Sequence, residues 1–137
     1  MEKFEKNFCS ICDHTASELK LYYSELSQSN VNDKKQITAN HYGFLGKLLN
    51  VIKSIDALTS EISAAMLDAD RRNDIQHTQK LSTLFDICIE HRKNLEDYFT
   101  ASEAAIKQEN PSVLSTLKNH TDILIRKTIN LKDIFHV

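Results

Sequence analysis

With 137 residues the chain is long enough for one domain with a core of its own, and a net charge of −2 with a pI near 6.3 gives no global basic footprint for nucleic acid. No apolar run comes near the ~20 residues that a membrane-spanning helix needs. With 2 Gly, 1 Pro and no Trp, the turn residues of a strand-rich domain are missing, and the composition points to helices.

The first element is read from Phe4, Phe8, Ile11, Thr15, Leu19, Tyr22 and Leu26, whose steps of three and four mark one face of a helix. The segment Ser27 to Lys35, "SQSNVNDKK", breaks it, because Asn and Asp side chains compete for backbone hydrogen bonds and favour turns and caps. A second, longer stripe runs Ile37, Phe44, Leu48, Val51, Ile52, Ile55, Leu58, Ile62, Ala65, Met66 and Ala69. Gly43 and Gly46 near its start each cost about 1 kcal/mol in a helix interior. This helix is therefore expected to begin near Phe44, after a short helical piece, with the two Gly forming a notch where another helix approaches. The charged run Asp68 to Asp74 closes it, and Asn73 or Asp74 caps the next.

A third stripe follows in Leu81, Leu84, Phe85, Cys88, Leu95, Tyr98, Phe99, Ser102 and Ile106. Asn110-Pro111 is expected to end it and to open a fourth helix carrying Val113, Leu114, Leu117, Leu124, Ile125, Leu131, Ile134 and Phe135. Short polar connections make consecutive helices antiparallel. The expected fold is all-α: an up-down-up-down antiparallel four-helix bundle with two long central helices, one domain over residues 1–137. "DICIEHRKNLEDYF" (86–99) and "DILIRKTINLKDIF" (122–135) agree at 7 of 14 positions, which suggests two helices built to one heptad recipe.

The Cys and His residues raise a metal question. Cys9, Cys12, Cys88 and His91 are the ligand types of a zinc site, and such a site would make the chain a zinc-binding sensor or scaffold. Helical geometry argues against it. Cys88 lies in its stripe and aligns with Leu124, Cys12 lies on the flank of its own, and Cys9 points toward the boundary or solvent. His91 aligns with Lys127 and so belongs on the surface. Packed thiols and no metal or other cofactor are the expectation. Three Cys make no disulfide framework and suit a reducing, cytoplasmic setting, and Met1-Glu2-Lys3-Phe4-Glu5-Lys6 leads into no signal-peptide core.

Arg72-Asn73-Asp74-Ile75-Gln76-His77 resembles the catalytic motif of HEPN-type ribonucleases, which are helical bundles that commonly act as dimers. That resemblance implies Arg72 stabilising phosphate charge and His77 acting as acid or base, but Gln79 stands where the family often has Tyr. A solvated turn between helices is the simpler reading. His41 with Gly43, Gly46 and Lys47 is a faint likeness to a phosphoacceptor helix, at offsets that do not fit.

With no convincing catalytic set, the chain reads as a non-enzymatic interaction protein that binds a partner's amphipathic helix. The fourth helix is the expected partner-binding or homodimerising element, through Ile123, Ile125, Arg126, Ile129 and Lys132. Its Ile residues spread over more than half its circumference, and Lys118, Arg126, Lys127 and Lys132 give it a basic rim. The long hairpins and the pattern "AMLDADRRNDIQHTQKLSTLF" broadly resemble export chaperones of flagellar or type III secretion systems, which hold helical ends of secreted subunits. No nucleic acid and no membrane is expected among the partners.

Overall fold

The structure, a computed structural model, describes residues 2–108 and 112–135. It is an all-α four-helix bundle built from α1 (Glu2–Gln28), α2 (Lys34–Arg71), α3 (Ile75–Lys107) and α4 (Val113–Asp133). The two central helices are the longest; α2, with 38 residues, extends ~57 Å. The Asn110-Pro111 stop lies outside the described residues.

Local chemistry sets the boundaries. Asn30 accepts the Asn32 backbone N–H at 3.0 Å in the first connection, and Asp33 then caps α2 by accepting the Gln36 N–H at 3.1 Å. The α2–α3 turn is the tightest. Asn73 adopts φ 57, the left-handed conformation that Asn tolerates better than most residues. Its N–H bonds the Asp70 carbonyl and the Asp74 N–H bonds the Ala69 carbonyl, both at 3.0 Å. This pair of bonds is a Schellman ending, which satisfies carbonyls that the end of α2 leaves free. Asp74 at once caps α3 by accepting the His77 N–H at 3.2 Å.

Neighbours in sequence are neighbours in space. The α2–α3 and α1–α4 pairs pack most extensively, α3–α4 next and α1–α2 least; the diagonal pairs scarcely meet. Asp56 and Arg92, 2.8 Å apart, fix the antiparallel register of α2 against α3. One core runs the length of the bundle through Phe8, Leu19, Leu26, Leu48, Ile55, Ile62, Leu81, Leu84, Leu95, Leu117 and Leu124.

The structure corrects one expectation about α2. The helix passes through Gly43 and Gly46 without a break from Lys34, and both glycines are exposed. A Cβ built on either meets nothing within 4 Å, so no helix approaches them and there is no notch. The buried side chains of Ile37, His41 and Phe44 hold this end of the helix to the core and override two unfavourable propensities. Gly43→Ala and Gly46→Ala should therefore each stabilise the protein by about 0.5–1 kcal/mol, by lowering the backbone entropy of the unfolded chain. Urea melts check this, and a loss of stability in either variant contradicts it.

Candidate functional site

The Arg72–His77 segment is first accounted for as structure. Arg72 is the C-cap of α2 and pairs with Asp68 at 3.1 Å, one turn back on its own helix. Asn73 supplies the left-handed turn, and Asp74 receives the His77 backbone N–H. Arg72, Asn73 and Asp74 thus each have a capping or pairing task in the turn, and His77 takes part through its backbone N–H.

The interior is more polar than the periodicity suggested. At one level each helix contributes one residue to a layer: Tyr22 from α1, His41 from α2, Tyr98 from α3 and Thr121 from α4. The Tyr22 hydroxyl and His41 Nδ1 share a hydrogen bond of 2.7 Å, and the Tyr98 hydroxyl and Thr121 Oγ1 one of 3.0 Å. The His41 and Tyr98 ring centres are 6.1 Å apart, tilted at 59°, and Phe44 stacks on Tyr22 at 4.0 Å. His41 is fully buried, so a phosphoacceptor role has no route to its ring. Nearer the other end, His91 Nε2 lies 3.2 Å from Thr15 Oγ1, with the Phe8 ring edge-on at 6.0 Å.

His91 is the clearest correction to the expected site. It is fully buried, whereas its match to Lys127 put it on the surface. The echo between α3 and α4 fails because the two helices are set at different rotations. The buried Leu81 and Cys88 match the buried Leu117 and Leu124, but α3 also buries Leu84, His91 and Tyr98, where α4 buries Thr121 and Thr128. Cys12 is also buried rather than on a flank, Cys88 is buried, and Cys9 is half-buried. Among the described residues no group of three or more His, Cys, Asp or Glu side chains is placed to hold a metal ion.

Electrostatics in this interior follow from burial. Desolvation lowers both His41 and His91 from 6.5 to about 4. An imidazolium has two N–H donors to satisfy, and His41 Nε2 and His91 Nδ1 meet no partner among the described residues. Both rings are held neutral. Burial also pushes the Cys12 and Cys88 thiols up to about 12, Cys9 and Cys88 adding to the effect on Cys12.

On α4 the five expected partner-binding residues are dispersed. Ile125 belongs to the core and Ile129 packs against it. Lys132 is paired with Asp13 of α1, and Arg126 with Asp122 at 3.0 Å on its own helix. Ile123 alone of the three Ile is exposed. The breadth of the apolar stripe on α4 is thus largely absorbed within the chain, because α1 and α3 flank it on two sides.

A run of exposed apolar side chains lies on the outside of α2 and α3, which the periodicity did not single out. Steps of three, four and seven residues from Asp56 and Arg92 place Tyr42, Leu45, Leu49, Ser63 and Leu67 on one face with Phe85, Ile89, Glu96 and Phe99. Tyr42, Leu49, Leu67 and Ile89 are 48%, 50%, 53% and 42% exposed, too much for ordinary core positions. At one end Ser63, Met66, Leu67, Asp70, Thr78 and Phe85 line a mainly apolar groove of about 340 Å³. Midway, Arg92 bridges Asp56 and Glu96. The signal available in the sequence was the flanking heptad 85-92-99 beside the core residues.

Protonation of the two buried imidazoles sets a pH dependence. Their stabilising neutrality is fully present above the unfolded value of 6.5 and is lost as pH falls toward about 4. Each is worth about 3 kcal/mol over that window. Urea-derived stability should fall from pH 7 to pH 5 with a slope that steepens toward about two protons near pH 5, and His91→Gln or His41→Gln should each remove about half of it. The thiols give a second test: in the folded protein one Cys, Cys9, reacts readily with an aromatic disulfide reagent, while Cys12 and Cys88 react only on unfolding. Rapid reaction of Cys88 in the native state contradicts its burial.

Comparison of the chain with protein-family models, with curated proteins and with solved structures returned no match, so a functional reading rests on this geometry.

Proposed function

We propose that the chain is a non-catalytic interaction module of the chaperone or adaptor kind, which holds an amphipathic helix along the outer face of α2 and α3. The observation that carries this reading is the row of half-exposed apolar side chains Tyr42, Leu49, Leu67 and Ile89, with Phe85 and Phe99 half-buried beneath them. A helix laid along such a face inserts side chains at steps of three, four and seven between two existing helices. The polar groups that might suggest chemistry are engaged elsewhere: Arg72 and Asp74 in the turn, His41 and His91 inside the core. No helix among the described residues is long and apolar enough to cross a membrane. The three free cysteines suit a reducing, cytoplasmic setting.

A photo-crosslinking residue at Leu67, introduced in the native cell, tests the reading. One dominant protein should be captured, and a companion Leu49→Asp substitution should remove it. Because both positions are exposed, the urea melt should move by no more than about 0.5 kcal/mol. Capture no greater than from a probe at the exposed Lys20 on α1 sinks the proposal.

A further inference from the structure

We infer that the bundle opens along one seam as pH falls, α1 with α4 parting from α2 with α3 while the helices stay formed. The inference concerns how the fold is held shut. It is independent of the outer α2–α3 face, which lies within one half.

The extensively packed pairs, α1–α4 and α2–α3, make the two halves, and the lesser α1–α2 and α3–α4 contacts make the seam between them. Among the described residues, the three buried hydrogen bonds between side chains of different helices all cross this seam. Tyr22–His41 runs from α1 to α2, Thr15–His91 from α1 to α3, and Tyr98–Thr121 from α3 to α4. The ion pairs Asp56–Arg92 and Asp13–Lys132 instead join helices within a half. Glu18 and Lys47 also reach across the seam at 3.6 Å, as a surface pair that adds little.

Two of the three buried bonds depend on a neutral imidazole. Thr15 donates its hydroxyl proton to the Ile11 carbonyl at 2.7 Å, so its oxygen accepts from His91 Nε2. The lone pair of neutral His91 is then on Nδ1, which is buried and meets no partner among the described residues. A proton taken there creates an N–H with no acceptor. A protonated His41 likewise donates to Tyr22 through Nδ1 and leaves its Nε2–H without an acceptor. Opening the seam gives both nitrogens to water, so protons favour the open form.

The titratable groups around His41 are Tyr22 of α1, Tyr42 of its own helix and Tyr98 of α3, with Glu18, Glu25 and Lys47 on the outer side of the joint. Beside His91, α1 places Phe8 and Thr15 with Cys12 between them in the chain, and Cys88 stands one turn back on α3. Among the described residues no charged side chain on any of the four helices acts on either ring, and burial alone lowers both from 6.5 to about 4. The closed form is therefore favoured fully above 6.5 and loses ground as pH falls toward 4. Together the two rings raise the ratio of open to closed by about 3,000-fold between pH 7 and pH 4.5, and either ring alone by about 60-fold.

Distances between paired spin labels on the full chain, read at pH 7 and at pH 4.5, test the inference. The background is Cys9→Ser, in which the buried Cys12 and Cys88 stay unlabelled at pH 7. Lys20→Cys with Asn50→Cys spans the seam, Asn50→Cys with Asp97→Cys spans α2–α3, and Lys20→Cys with Lys127→Cys spans α1–α4, all at exposed positions. At pH 4.5 the distance across the seam should lengthen, while both distances within a half and the helical circular dichroism stay as they were. His41→Gln combined with His91→Gln should keep the seam closed at pH 4.5. Three distances that broaden together show the whole chain unfolding and overturn the inference. So does a seam that stays closed in the labelled protein with both His intact, or a double His variant that opens as readily as that protein. Should the double His variant fail to fold at pH 7, the three distances measured with both His intact decide alone.

Discussion

The Tyr22–His41 hydrogen bond closes the weakest joint of the bundle. Of the four neighbouring helix pairs, α1 and α2 meet least, and their connection is a five-residue polar loop. Across this joint Tyr22 bonds His41 at 2.7 Å and stacks on Phe44, while Lys47 reaches Glu18 at 3.6 Å at the surface. The surface pair adds little. The buried hydrogen bond matters more, since either partner left alone would be a desolvated polar group without a bond. Through the facing Tyr98 ring and its bond to Thr121, the same layer reaches α3 and α4. The two hydrogen bonds at this level thus tie α1 to α2 and α3 to α4.

A polar layer in an apolar core also specifies. Hydrophobic side chains alone tolerate helices sliding by a heptad, whereas a Tyr–His pair is satisfied in one register only. The Thr15–His91 contact does the same near the other end, tying α1 to its diagonal neighbour α3. Buried Thr side chains are otherwise satisfied within their own helices: Thr15, Thr121 and Thr128 each bond the carbonyl four residues back at 2.7–2.8 Å. Among the described residues one nitrogen on each imidazole is left without a partner, and those two atoms make the core sensitive to acid.

Much of the charge on the outside of the molecule is paired. The basic residues of α4 are partly spent on α1, where Lys132 pairs with Asp13 and Lys118 lies 5.5 Å from the Tyr23 ring centre. The cations left exposed are those on the outer side of the helix. On the outer side of α2 and α3, exposed apolar side chains stand beside the ion pairs of Arg92 with Asp56 and Glu96.

The chain's periodicity determined the number of helices, their approximate limits, the core stripes of α1, α2 and α3, and the place of the tight turn at Asn73-Asp74. These are local properties: a 3.6-residue period, capping side chains and a residue that tolerates positive φ act within a few positions. Tertiary packing alone decided how far each helix is rotated about its axis. Periodicity says which side of a helix is apolar; the neighbours on either flank decide how much of that flank is covered. That is why His91 is buried although its counterpart Lys127 is exposed, and why Ile125 is core on a helix whose Ile residues seemed in surplus. It is also why Gly43 and Gly46 face open space and α2 runs through them, and why exposed apolar side chains stand on the outside of α2 and α3 as well as on α4.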